Sequence, residues 1–261
     1  MKKYLALAFI ILVSGLVLSG CGKKNQPMDL YDMVLDRGKI VVGVKTDTKP
    51  FGFLNKEGQN EGFDIDLAKN IAKVIFNDDK AVEFVPVTPS NRIMILNSGQ
   101  ADMIIASMTI NSQRAAVVDF SLPYHYSGQT LLLNKDSKVT SLTDPKLKKI
   151  GVLFGSTAEK TIRIAVPHSM ITGYKTYTDA VKALKNKEID AVATDDTIIL
   201  GIIMDDNSLK ILNAPRYSKE PYGIAFRKGE ETKRLRTIVD KTISDMVNDG
   251  SLNRIKNKWL K

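Results

Sequence analysis

From Ile40 onward, short β-branched runs alternate with stretches whose apolar residues recur at helical spacing. That alternation most limits what the chain can fold into. Ile40–Val44, Val82–Val87, Met103–Met108, Gln129–Leu133, Ile150–Leu153 and Ile189–Ala193 read as strands or apolar runs. Between them, Phe63, Leu67, Ile71 and Val74-Ile75 share one helical face, and Asp64 and Asp66 stand in its first turn, where the helix dipole favours acids. Further helical stretches fall at 91–97, 158–166, 177–185, 197–204 and 231–248. A β-α-β-α order implies an α/β fold with mostly parallel sheets. Gln100-Ala101-Asp102-Met103-Ile104 and Glu188-Ile189-Asp190-Ala191-Val192 both follow a short helix and open a strand. They mark either two lobes of one architecture or a common helix-to-strand turn used twice.

The N-terminus is of a different kind. Lys2 and Lys3 precede an apolar or small-residue run from Leu5 to Leu18, too short for a bilayer span of about 20 residues and flanked as a secretory signal is. Leu18-Ser19-Gly20-Cys21 resembles a bacterial lipobox, so residues 1–20 are expected to be a signal peptide. Cys21 is then the lipid attachment point, anchoring the chain at the cell membrane on its extracytoplasmic side. Residues 21–36 are assigned to a polar tether.

Composition closes several routes to chemistry. The one cysteine excludes an internal disulfide and a zinc site built on several thiolates, and His125 and His168 share no metal-ligand spacing. No metal and no cofactor are expected. The net charge of +9 is spread along the chain without interleaved aromatics, which reads as a solvated surface rather than a nucleic-acid footprint. There is no GxSxG nucleophile turn and no GxGxxG phosphate loop, so no catalytic residue is assigned.

Open α/β sheets bind ligands beyond the carboxyl ends of their strands. Those ends carry Lys45 and Asp47, then Phe51; Ser90 and Arg92; Ser107 and Thr109, with Arg114 five residues on; Gly155-Ser156-Thr157 at a helix start; and Thr194-Asp195-Asp196. An arginine fork and helix-start donors suit a carboxylate, and an acid among them suits an ammonium group. The set describes a site for a zwitterion, most simply an amino acid. Singly, each has a plainer use: Ser156 or Asp195 as a helix N-cap, Arg114 as a surface ion-pair partner.

The same residues resemble the extracytoplasmic solute-binding proteins of ABC importers for polar amino acids. Gly62-Phe63-Asp64-Ile65-Asp66-Leu67-Ala68 is similar to the family's GFDVDLA motif. Thr109-Ile110-Asn111 leading to Arg114, with Asp119-Phe120-Ser121-Leu122-Pro123-Tyr124, is similar to its T-I-T-x-x-R…DFS-x-PY signature. Ile150-Gly151-Val152 and Tyr222-Gly223-Ile224-Ala225-Phe226 follow in order. The resemblance implies a type II periplasmic-binding-protein fold. Residues 37–123 plus 223–261 would form one lobe and 129–217 the other, joined by hinge crossings at 124–128 and 218–222. It implies Arg114, with Thr109 and Ser107, on the ligand α-carboxylate, a donor from Thr157, and Asp195 on the α-ammonium, with Asp196 competing. It implies an ABC permease and its ATPase as partners, and a monomer. A remote alternative is a cyclohexadienyl-dehydratase-like enzyme on the same fold.

Ser90-Asn91-Arg92-Ile93 resembles a segment of glutamate/aspartate-binding members, and Lys45 is basic in some of them. Two cations beyond Arg114 would neutralise a second ligand carboxylate, so the expected ligand is L-glutamate or L-aspartate. Glutamine or another polar amino acid is the alternative. Phe51 and Phe53 either wall the ligand or pack in the core, and Tyr177 is a weaker choice for the pocket.

Overall fold

A computed structural model describes residues 28–260, so the signal peptide and Cys21 lie outside the described residues. β1 (Ile40–Val44) runs parallel to β5 (Val82–Pro86) and to β6 (Met103–Ile104). β15 (Ala225–Arg227) lies antiparallel between β6 and β7 (Val118–Phe120). The second sheet repeats the plan. β10 (Lys149–Leu153) lies parallel between β11 (Met170–Tyr174) and β12 (Ala191–Asp195), followed by antiparallel β9 (Gln129–Asn134) and β13 (Leu209–Ile211). The strand orders are β5-β1-β6-β15-β7 and β11-β10-β12-β9-β13. Each sheet therefore carries antiparallel strands beside its parallel trio, fewer parallel pairings than the alternation alone suggests.

The internal echo has a physical cause. Asp102, just before β6, accepts from Val41 N in β1 at 2.7 Å. Asp190, just before β12, accepts from Lys149 N in β10 at 2.8 Å. In both sheets a carboxylate satisfies an amide at the start of the first strand, where the ladder has not yet begun. The repeated acid marks two lobes of one architecture.

Helices cover the sheets, with α3 (Arg92–Asn97) packed on β1, β6 and β15. α2 (Phe63–Phe76) buries Phe63, Ile65, Leu67, Ala68 and Ile71, and α6 (Tyr177–Lys185) buries Tyr177, Ala180, Ala183 and Leu184. Residues assigned to the tether behave otherwise. α1 (Leu30–Arg37) is capped by Asp29, which accepts from Tyr31 N at 2.8 Å, and ends at left-handed Gly38. Its Leu30 and Val34 are 1% and 0% exposed, packed in the core with α8 (Lys233–Asn248). Burying two such side chains is worth about 1.5–3 kcal/mol each, enough to dock one short helix. Residues 30–36 thus belong to the fold, not to a tether. α9 (Ser251–Trp259) completes that face, with Trp259 Nε1 donating to Asp66 at 2.7 Å. Among the described residues, no helix is long and apolar enough to cross a membrane.

Two further strands, β8 (His125–Ser127) and β14 (Glu220–Tyr222), pair antiparallel and connect the two sheets, with Pro221 opposite Tyr126. A small sheet of β2 (Asp47–Thr48), β3 (Gly52–Leu54) and β4 (Asn60–Glu61) flanks α2.

Candidate functional site

Where the strand ends of the two sheets face one another, a polar cleft is lined by Lys45, Arg92, Ser107, Thr109, Arg114, Ser156, Thr157, Tyr177, Thr194 and Asp195. Of the residues expected to touch ligand, Lys45, Arg92, Ser107, Thr109, Arg114, Ser156, Thr157 and Asp195 are therefore together, and Phe51 is not among them.

Arg114 is presented by α4 (Ser112–Ala115), a single turn that would not stand alone. Asn111 caps it by accepting from Arg114 N at 2.9 Å. Arg114 Nη1 then donates to Thr109 O at 2.9 Å, which fixes the guanidinium across the loop leaving β6. Ser107 sits on that loop at φ +42, a strained backbone for a serine, and its N–H donates to Asp64 Oδ2 at 2.9 Å. Asp64 also accepts from Tyr124 OH at 2.9 Å, so the first acid of the GFDIDLA segment pins two other signature segments in place. Burial raises its pKa to about 6 despite those bonds.

The second lobe supplies the opposite wall. α5 (Thr157–Ala165) starts at Ser156, whose hydroxyl accepts from Glu159 N at 3.2 Å. Ser156 lines the cleft but already serves as an N-cap. Asp195, 7% exposed at the end of β12, receives a short hydrogen bond from Tyr222 OH. Burial pushes its pKa up to about 7, and Glu220 adds to the rise. Asp196 is oriented elsewhere. It accepts from Ser127 Oγ at 2.5 Å, Thr197 N at 2.7 Å and Arg216 Nε at 2.8 Å, which uses its carboxylate structurally.

The cations expected to read a ligand side chain are both buried. Lys45 lies over the Tyr177 ring at 4.5 Å from the centroid, and desolvation lowers its pKa to about 8. Arg92 Nη1 donates to Ala106 O at 2.9 Å, while its buried Nε has no partner among the described residues. Phe51 departs from expectation as a ligand wall. It is 0% exposed and packs edge-on against Phe63, His125 and Tyr222, with ring centroids 5.2–5.9 Å apart. An aromatic beyond a strand end faces either way, and here the neighbouring rings take it into the core. Phe53 packs on Trp259 instead. Glu220, which sequence reasoning passed over, is 4% exposed beside Arg114 and Asp195. Only its position two residues before Tyr222-Gly223 pointed to the crossing strand.

The lobes touch across this cleft. Arg114 Nη2 donates to Gly155 O at 3.1 Å, and Tyr177 N, at the start of α6, donates to Asp47 Oδ2 at 2.9 Å. Gly155 has φ +76, and a Cβ there would lie 2.8 Å from Pro89 O of the other lobe. The space left between the lobes here is about 20 Å³, room for about one water, whereas ligand pockets run to about 300–1,000 Å³. Outside it, sharing Thr109, Arg114, Ser156 and Thr157, an open groove of about 900 Å³ leads to solvent. Entry of a ligand therefore requires the lobes to part.

Two similar α/β lobes clamped over an arginine, helix-start donors and a buried acid define a two-lobed receptor for a small zwitterion. Comparison with known proteins gives the family. Residues 40–261 match the profile of the bacterial extracellular solute-binding proteins, family 3, and the chain belongs to that family. The ABC transporter glutamine-binding protein GlnH of Bacillus subtilis is 38% identical, the match covering 100% of this chain and 98% of the relative. A glutamine-binding protein of Geobacillus stearothermophilus is 39% identical, covering 89% and 94%. Among solved structures, the ancestral amino acid-binding protein AncCDT-1, a precursor of cyclohexadienyl dehydratase, superposes with TM-score 0.81 and 34% identity, covering 88% of this chain and 99% of that one. The chain is an extracytoplasmic amino acid receptor of an ABC transporter.

Proposed function

We propose that the ligand is L-glutamine, captured by closure of the two lobes about the β8–β14 crossing and delivered to the permease. The observation that carries the reading is the charge of the cleft. Three buried cations, Lys45, Arg92 and Arg114, are matched by three buried carboxylates, Asp64, Asp195 and Glu220. Asp47 adds a further acid whose attraction opposes the fall in the Lys45 pKa. With Arg114, which also faces Glu220, on the α-carboxylate and Asp195 on the α-ammonium, Lys45 and Arg92 already face Asp64. A second ligand carboxylate would enter without a free counter-charge, at a cost of several kcal/mol in a buried site. A carboxamide brings no charge, and its oxygen suits the unpartnered Arg92 Nε. The glutamine-binding relatives support the same choice over glutamate or aspartate. Cys21 carries the lipid anchor in this reading, and the receptor works as a monomer.

Calorimetric titration of refolded protein, stripped of carried-over ligand, tests it. Glutamine is expected to bind at least tenfold more tightly than glutamate. The reverse order would restore Arg92 and Lys45 as readers of a side-chain carboxylate.

The Asp195 pKa gives a second expectation. The ammonium requires the ionised carboxylate, whereas the unliganded closed cleft favours the protonated form below about pH 7. Binding at pH 6 should then release a proton. Affinity should climb as pH rises from about 5 to about 7, approaching tenfold per unit at the acid end. Titrations across that range in two buffers of different ionisation heat read both effects. An affinity flat with pH would remove Asp195 from the ammonium.

A further inference from the structure

Glu220 stands on the crossing strand β14, yet it holds both walls of the cleft. Its Oε2 accepts from Thr109 Oγ1 at 2.6 Å and from Thr157 Oγ1 at 2.9 Å, and its Oε1 accepts from Ser218 Oγ at 2.7 Å. Thr109 follows β6 of the first sheet, and Thr157 follows β10 of the second. One carboxylate oxygen thus joins the two lobes through a residue that belongs to the connection between them. All three donors are hydroxyls, and hydrogen bonds to an ionised acceptor are among the stronger ones.

The protons can be followed further. A threonine hydroxyl has a single proton to donate. Thr109 and Thr157 both direct theirs at Glu220, and Thr157 Oγ1 also accepts from Gln129 Nε2 at 2.9 Å. While these contacts stand, neither hydroxyl can donate to a ligand carboxylate.

We propose that Glu220 is a positioning residue that clasps the closed lobes through Thr109 and Thr157, independently of ligand, and thereby sets how long the ligand is retained. The retention half of this rests on the glutamine reading; the clasp itself does not. Removing it takes stabilisation from the closed form alone, so the effect should fall on dissociation rather than on encounter.

Two measurements on the chain test the proposal. In stopped-flow binding of glutamine, Glu220→Ala is expected to raise the dissociation rate about tenfold or more, with the association rate changed less than threefold. Glu220→Gln keeps a carbonyl oxygen that can accept from both threonines, and should stay within about threefold of the wild-type dissociation rate. Thr157→Val should reproduce the Glu220→Ala effect, and combining the two should add little, because both break one clasp. In X-ray scattering without ligand, Glu220→Ala should show a larger radius of gyration than the wild type. Unchanged dissociation and radius in a folded Glu220→Ala protein would overturn the clasp, as would additive effects of the two substitutions. If Glu220→Ala does not fold, Glu220→Gln and Thr157→Val carry the same comparison. A wild-type chain that ignores glutamine would sink the ligand reading, while the scattering comparison would still decide the clasp.

Discussion

Arg114→Ala is expected to weaken amino acid capture by about 10²- to 10³-fold. The guanidinium is buried, held by Thr109 O, and linked across the cleft to Gly155 O. Truncating one partner of a buried, hydrogen-bonded charge pair typically costs about 2–5 kcal/mol, because the other charge is left desolvated without compensation. In the proposed reading that other charge is the ligand α-carboxylate, and the closing contact to Gly155 goes with it. Arg114→Lys should recover only part of the loss, since an ammonium keeps the charge but not the fork that meets two carboxylate oxygens. Calorimetry gives the affinity, and a thermal melt without ligand separates lost binding from lost folding. A folded Arg114→Ala protein that binds within tenfold of the wild type would take the α-carboxylate away from Arg114.

The same balance of charges explains what the sequence left open. Lys45 and Arg92 are visible as cations at strand ends, and read from there alone they leave a surplus of positive charge for a second carboxylate. Asp64 looked like a helix-start acid, and burial beneath Ser107 and Tyr124 turns it instead into a counter-charge for the cleft. Glu220 fell within the expected crossing at 218–222, but nothing marked it as a cleft acid, because β14 is a strand of three residues, Glu220-Pro221-Tyr222, without periodicity. Sequence spacing tells which residues stand at strand ends; it does not tell which acids fold back under them. The cleft's lining was largely legible, since residues just past a strand must emerge on one edge of the sheet. Phe51 was not, because direction at a loop is decided by neighbouring rings. α1 was missed for a similar reason: two apolar residues four apart, Leu30 and Val34, are too few for a periodic pattern, and the docking face on α8 lies more than 200 residues away. The alternation of strands and helices gave the α/β class, but it could not show that β15 returns from the end of the chain to enter the first sheet.

Gly201→Ala should weaken glutamine binding without touching the ligand. Gly201 lies inside α7 (Asp196–Asp205), where alanine is the better helix former by about 1 kcal/mol. The second lobe taken alone should therefore gain stability. In the closed form, however, a Cβ at this position would lie 2.4 Å from Lys49 O and 2.5 Å from Lys49 C, backbone atoms of the opposite lobe that cannot swing aside. Lys49 also pairs with Asp205 at 2.5 Å at the end of the same helix, so the whole seam would have to part. Overpacking of this kind costs about 1–3 kcal/mol, roughly a 5- to 150-fold loss of affinity if all of it falls on closure. Two readouts should then move in opposite directions. The melting temperature without ligand should hold or rise, while the dissociation constant for glutamine should increase and the stabilisation by saturating ligand should shrink. An affinity unchanged by Gly201→Ala would mean that the liganded lobes stand further apart at this seam than the closed form described here. A fall in both stability and affinity would place the clash within the second lobe's own packing. The first combination is the one that follows from a glycine kept small by the lobe it faces rather than by the helix that contains it.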